Sequence, residues 1–135
     1  MHLFVYGSLM FEEVWSRLVR RSYVKREARL HGFCRRKVRE DVYPVILRSQ
    51  DSDWVDGIVY LNVLADDFAR LDFFEGDFYE RRNESVVVEG SEKVTAAVYA
   101  LKEDFCHMAE DASWDPDWFA REGLAMFLGG YRGFD

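Results

Sequence analysis

The chain has 135 residues, 49% of them hydrophobic and 16% aromatic, and a formal net charge of −7. This length fits one domain over residues 1–135 with a sizeable core, and the aromatic content favours a core or cavity walled by rings. The acidic balance argues against a general nucleic-acid binder. Glu12 and Glu13 interrupt the N-terminal apolar run early, so neither a signal peptide nor a membrane span is predicted there.

The N-terminal residues predict a strand, a turn and a helix in succession. His2 to Tyr6 is a short apolar run that indicates a strand, and Gly7-Ser8 interrupts it. Apolar residues then recur at helical spacing: Phe11, Val14, Trp15, Leu18 and Val19. A turn between a strand and a helix presents free backbone N–H groups, which suit an anionic or carbonyl oxygen. An ordinary turn in which Ser8 caps the helix is the commoner interpretation of such residues.

The middle of the chain predicts strands and carries much of the positive charge. The candidate strands are residues 22–31, 42–48 and 54–63. Ten of the 18 basic residues fall between Arg17 and Arg39, including Arg35-Arg36-Lys37. This run suggests either a patch for an acidic substrate or polyanion, or the solvent faces of a helix and two strands, which is the commoner case.

A second predicted helix, Leu64 to Phe74, ends beside a glutamate with aromatic neighbours. Glu75 follows Phe74 and precedes Gly76. A carboxylate among large apolar groups loses hydration, which raises its pKa toward neutrality and suits it to proton transfer. The simpler interpretation is a helix that stops at Gly76 with Glu75 turned to solvent.

The C-terminal part predicts a hairpin and a third helix. The hairpin strands are residues 79–88 and 94–101, around Glu89-Gly90-Ser91. Asp115-Pro116 is typical of a helix start, and Gly129-Gly130 is expected to stop that helix. Many short strands with few helices predict an α+β fold.

The sequence contains no recognisable cluster of metal ligands or nucleophiles. Cys34 and Cys106 are far apart, and the three histidines are scattered, so no zinc or redox site is predicted. Cys106-His107 would be an unusual nucleophile and base, because adjacent residues seldom face each other. Two unpaired cysteines fit a reducing cytoplasm, which is the expected location.

Two motifs, far apart in the chain, together have the order and spacing that are typical of one protein family. The motifs are Tyr6-Gly7-Ser8-Leu9 and Leu71-Asp72-x-Phe74-Glu75-Gly76-x-x-Tyr79-x-Arg81, with Tyr43-Pro44-Val45-Ile46 and Val55-x-Gly57-x-Val59-Tyr60 between them. Over about residues 2–100 the chain resembles the γ-glutamylcyclotransferase-like superfamily, in particular its small avirulence-induced-gene-like branch. The resemblance implies a small mixed-strand β-barrel with peripheral helices. It also implies a γ-glutamylcyclotransferase, which cyclises a γ-glutamyl amide to 5-oxoproline and a free amine.

The resemblance also implies roles for particular residues. Glu75 would be the catalytic acid and base, the Tyr6-Gly7-Ser8-Leu9 turn would bind substrate, and Tyr79 would hydrogen-bond substrate or Glu75. Arg81 is either catalytic or structural, and the sequence leaves both roles open. The two motifs are expected to face one cavity. The nucleophile is the substrate's own amine, so no metal and no cofactor are expected.

The expected partner is a small γ-glutamyl substrate, with no nucleic acid and no membrane. The sequence makes no prediction of the leaving amine or of the oligomeric state. A second function remains open: a catalytically idle module on the same fold that binds a small molecule or peptide. Release of 5-oxoproline would discriminate between the two functions, because one fold hosts many functions.

Overall fold

The computed structural model describes residues 1–90 and 92–130, and its centre is a closed five-stranded β-barrel. Around the barrel the strands follow the order β1 (His2–Val5), β5 (Trp54–Tyr60), β2 (Lys25–His31), β6 (Tyr79–Val88) and β7 (Glu92–Leu101). Neighbouring strands are antiparallel except β1 and β7, whose parallel pairing closes the barrel. The predicted α+β fold, a small mixed-strand barrel with peripheral helices, is confirmed.

The predicted hairpin of β6 and β7 forms the longest strand pairing in the described residues. Ten residue pairs run from Tyr79 opposite Leu101 to Val88 opposite Glu92. Gly90 in the turn has a φ of +86°, a conformation that glycine adopts easily, and Ser91 lies outside the described residues. The second half of β7 is buried on both faces, because alternate side chains pack in the barrel and against the helices.

A second sheet of three strands has the order β4 (Pro44–Arg48), β3 (Phe33–Val38) and β8 (Ala109–Ser113). Strands β3 and β8 were not predicted, because the charged side chains of β3 hide its strand pattern. Those side chains are engaged separately: Arg35 lies over Trp114, Arg36 pairs with Asp111, and Lys37 lies over Trp118. These contacts favour the structural interpretation of the basic run over a polyanion patch.

Two helices, α1 (Glu12–Leu18) and α2 (Ala65–Glu75), pack against the barrel. The Trp15 ring stacks on Tyr60 of β5 with centroids 3.7 Å apart. Asp67 of α2 is fully buried, and its carboxylate accepts hydrogen bonds from the Arg20 N–H and the Tyr23 hydroxyl. These contacts fix the segment after α1 against α2, whose C-terminal end therefore has a defined position.

The C-terminal helix starts as predicted, with the Asp115 side chain accepting a hydrogen bond from the Asp117 N–H. The helix comprises α3 (Pro116–Trp118), a π-helical turn (Phe119–Gly123) and α4 (Leu124–Gly130). The last described helical residue is Gly130, so the predicted stop at Gly129-Gly130 lies at the edge of the described residues and stays a prediction. None of the helices in the described ranges has the length and apolar character needed to cross a membrane.

Candidate active site

A cavity of about 820 Å³ brings the two sequence motifs together. It is lined by the end of β1, the turn after it, the β3–β4 connection, the end of α2 and residues of α4. Glu75 and the turn from Tyr6 to Leu9 both line this cavity, although Glu75 follows Leu9 by 66 positions in the sequence. The predicted convergence of the motifs is confirmed.

Glu75 is the last residue of α2, and its side chain is half-buried in the cavity wall. The helix stops at Gly76, as predicted, with a φ of +79°. The interpretation that turned Glu75 to solvent is wrong, because Glu75 is half-buried and lines the cavity. No residue within 1–90 or 92–130 forms a hydrogen bond or ion pair with this carboxyl group.

Burial and the nearby charge of Asp72 raise the pKa of Glu75 to about 8. Burial is the larger cause, because the charged form loses hydration that no protein group replaces. A carboxyl group with this pKa is present in both protonation states near neutral pH. That is the property required of one group that both accepts and returns a proton.

Asp72 is held in place behind Glu75 by two side chains from the β6–β7 hairpin. The Tyr99 hydroxyl donates to Asp72 Oδ1 at 2.6 Å, and Arg81 Nη1 lies 3.5 Å from Asp72 Oδ2. The Arg81 guanidinium also lies 4.6 Å from the centre of the Phe68 ring. Arg81 therefore has structural partners, and it lines a smaller cavity of about 340 Å³ beside Glu75.

Tyrosines surround the carboxyl group on the barrel side. The buried Tyr6 hydroxyl donates to the Tyr99 carbonyl at 2.6 Å, so it is committed to the backbone. The Tyr79 hydroxyl lies 3.5 Å from the Pro44 carbonyl, a long contact that leaves it available to a ligand. Burial, reinforced by the neighbouring Tyr6 and Glu75, raises the pKa of Tyr79, which keeps this phenol a neutral donor.

The turn after β1 is a single 3₁₀ turn, Ser8–Met10. The N-cap of α1 is Phe11, so the interpretation of Ser8 as a helix cap is wrong. The N–H groups of Ser8 and Leu9 donate to no acceptor in the described part of the chain, whereas the Met10 N–H donates to the Gly7 carbonyl. The Leu9 side chain is core, so this residue could contact a ligand only through its backbone.

Two contacts that the sequence did not indicate hold this turn. Arg35 Nη1 donates to the Tyr6 carbonyl at 2.8 Å and to the Asp56 carbonyl at 3.1 Å. A Cβ atom on Gly7 would lie 2.6 Å from Pro44 Cγ, closer than such atoms approach. Glycine is therefore required at position 7 by the close approach of Pro44.

The geometry agrees with a family assignment made on the whole sequence. The sequence profile of the family described as gamma-glutamyl cyclotransferase, AIG2-like, matches residues 3–118. The chain belongs to this family. An Arabidopsis thaliana relative, AIG2-like protein D, is 38% identical over 106 residues, which cover 76% of this chain and 69% of the relative.

Solved structures with the fold of the AIG2-like family align with nearly the whole chain. A solution structure of an Arabidopsis thaliana protein is 30% identical, with a TM-score of 0.73, and covers 95% of this chain and 77% of its own. A structure described as gamma-glutamyl cyclotransferase, 23% identical with a TM-score of 0.62, covers 75% of this chain and 66% of its own and shows the fold alone. In the sequence alignments with four further Arabidopsis AIG2-like relatives, this chain spans only 57–59% of the relative's length.

Sequence reasoning on this AIG2-like chain missed the roles of Asp72, Tyr99 and Arg35, of which Tyr99 lines the cavity itself. Asp72 stood in a quoted motif without a role, and Tyr99 stood in an apolar strand pattern that carries no polar signal. Arg35 was hidden in a basic run. Within the described ranges, no three His, Cys, Asp or Glu side chains are grouped to hold a metal ion.

Proposed function

We propose that this chain is a γ-glutamylcyclotransferase, which cleaves a γ-glutamyl amide to 5-oxoproline and a free amine. The observation that carries the proposal is the Glu75 carboxyl group, which has a raised pKa and no partner among the described residues. It lines one cavity with Ser8 and Leu9, whose N–H groups have no acceptor among those residues. A proton-transfer group and an oxyanion site in one cavity are the parts that this reaction requires from a protein.

The bond changes take place within the substrate. The α-amine nitrogen attacks the γ-carbonyl carbon, a new carbon–nitrogen bond closes a five-membered lactam, and the original amide bond breaks. The protein has to hold the glutamyl chain in attack geometry, because a well-oriented intramolecular reaction gains most from restricted motion. No Ser or Cys nucleophile is needed, and the reaction as proposed uses no metal or cofactor.

Glu75 moves the protons in this mechanism. Its carboxylate accepts a proton from the attacking amine, and the resulting carboxylic acid returns a proton to the departing nitrogen. Positioned acid–base catalysis of this kind contributes ~10²–10⁴-fold. The neighbouring Tyr79 hydroxyl is placed to donate a hydrogen bond to the substrate or to Glu75.

The 3₁₀ turn supplies the second part of the mechanism. As the carbonyl carbon becomes tetrahedral, negative charge develops on its oxygen. Ser8 and Leu9 line the cavity, and their N–H groups lack acceptors among the described residues. Such preorganised donors stabilise the transition state more than the ground state.

A panel of γ-glutamyl conjugates tests this function directly. The conjugates would carry an amino acid, the ε-amine of lysine or a small amine, and 5-oxoproline would be measured by its mass. We expect catalytic release of 5-oxoproline from at least one class. Binding of conjugates without release would instead support the idle binding module.

The substitution Asp72→Asn should move the pH profile. Glu75 must be ionised to accept a proton, so kcat/KM rises with pH through its pKa of about 8. Loss of the Asp72 charge favours the Glu75 carboxylate and lowers that pKa, so the rising limb should shift to lower pH. The free substrate amine has the same pKa in both experiments, so a difference between the two pH profiles comes from a titrating group of the enzyme.

Asp66→Asn is the control for this measurement, because Asp66 lies on the same helix and also pairs with an arginine, Arg21, but is not a cause of the raised Glu75 pKa. Its profile should match the unmodified protein. If the rising part of the kcat/KM–pH profile does not shift in Asp72→Asn, the role assigned to the Asp72 charge is contradicted.

A further inference from the structure

The 820 Å³ cavity is larger than a glutamyl group requires, and one part of its wall consists of aromatic rings. Pockets of this size hold ligands of drug-like dimensions, about 300–1,000 Å³. The rings of Phe78 and Phe105 meet edge to face at 4.8 Å, and those of Tyr43 and Phe127 at 6.3 Å. All four rings line the cavity.

Acidic side chains accompany these rings. Glu40, Asp41 and Asp77 line the cavity, and its described lining residues include no Lys, Arg or His. The Glu75 carboxyl group, without a partner in the described ranges, lies in the same space. Glu40, Asp41 and Asp77 therefore make the cavity lining acidic, and none of its described lining residues is basic.

The charge of Asp41 acts inside the cavity and not only at its mouth. The Val42 N–H donates to Asp41 Oδ1 at 2.9 Å, which fixes the carboxylate. After burial, Asp41 is the next cause that raises the pKa of Tyr43, and it contributes to the raised pKa of Tyr79 as well. Asp41 is thus within electrostatic reach of the tyrosine beside Glu75.

We propose that the leaving amine of the substrate carries a second positive charge, as in a γ-glutamyl diamine or polyamine. This inference rests on the proposed function. Ring faces and fixed carboxylates together attract an ammonium group, and the same field repels a leaving group that ends in a carboxylate. The cavity would hold the glutamyl group near Glu75 and the distal ammonium among the rings and the acidic residues.

Three γ-glutamyl conjugates of matched length test the inference. Their amines would be 1,5-diaminopentane, pentylamine and 5-aminopentanoic acid, which end in an ammonium, a methyl and a carboxylate group. We expect kcat/KM for 5-oxoproline release to fall roughly tenfold from the first to the second and again to the third at low salt. Added salt should narrow these differences, because it screens exposed charges.

A charge-neutralising variant tests which residues cause the preference. Asp41→Asn/Asp77→Asn keeps side-chain size and should reduce the ammonium-to-methyl ratio severalfold. Glu89→Gln/Glu92→Gln removes the same net charge at the exposed turn end of β6 and β7 and should leave that ratio unchanged. Equal values for the three conjugates, or a preference for the carboxylate, would overturn the inference and leave the proposed function standing.

A binding measurement separates the two proposals if no conjugate releases 5-oxoproline. That outcome would contradict the proposed function. Calorimetry of the three conjugates with the Glu75→Gln protein then ranks their affinities without turnover and without the Glu75 charge. The same order supports an ammonium-binding cavity, whereas equal or reversed affinities overturn it.

Discussion

Glu75→Gln should lower kcat by ~10²-fold or more and leave KM nearly unchanged. The amide keeps the size of the carboxyl group but neither accepts a proton from the attacking amine nor returns one to the leaving nitrogen. Steady-state release of 5-oxoproline from the preferred conjugate measures the effect. Glu80→Gln is the matched control, because Glu80 is an exposed glutamate of β6 outside the cavity lining.

The same variant should unfold at a higher temperature above pH 7. The pKa of Glu75 is raised in the folded protein to about 8, from an ordinary value of 4.5, so ionising it favours the unfolded chain. This unfavourable contribution begins above pH 4.5 and grows up to about pH 8, and the amide removes it. Near-normal turnover in Glu75→Gln would remove Glu75 from the mechanism, whatever the melting temperature.

Gly7→Ala should lower kcat/KM by ~10²-fold. The new Cβ atom would lie 2.6 Å from Pro44 Cγ and 2.8 Å from Pro44 Cδ, so the turn or the proline has to move. Either movement displaces the N–H groups of Ser8 and Leu9, and a displacement of about 1 Å can cost 10²-fold in rate. Turnover and melting temperature would be measured together, with the fold expected to be retained.

Three further variants interpret the Gly7→Ala result. Gly129→Ala adds the same methyl group where no atom of the described residues lies within 4 Å, so it should be neutral. Gly7→Ala/Pro44→Ala removes the opposing ring and should recover part of the activity. Ser8→Ala should be mild if Ser8 acts through its backbone N–H. Loss of all activity in Ser8→Ala with unchanged melting would indicate acyl-serine chemistry and contradict the intramolecular mechanism.

Local sequence patterns were sufficient to predict the helices and strands whose characteristic residues lie close together in the chain. The alternating β6–β7 hairpin, the apolar spacing of α1 and α2 and the cap at Asp115 were all predicted. Charged or polar strands gave no such signal, so β3 and β8 were missed. The side chains of β3 are tolerated because distant partners, Trp114 and Asp111 among them, cover or pair with them.

The sequence by itself singled out Glu75 and the turn from Tyr6 to Leu9 as candidate site residues, since both stand in short motifs with a specific order. Only the tertiary structure decided that Glu75 faces a cavity and that Asp72 lies near enough to influence its pKa. It also decided that Pro44 makes glycine necessary at position 7. Burial, charge and close approach depend on residues far apart in the chain, so these properties exist only once β1 and β7 close the barrel.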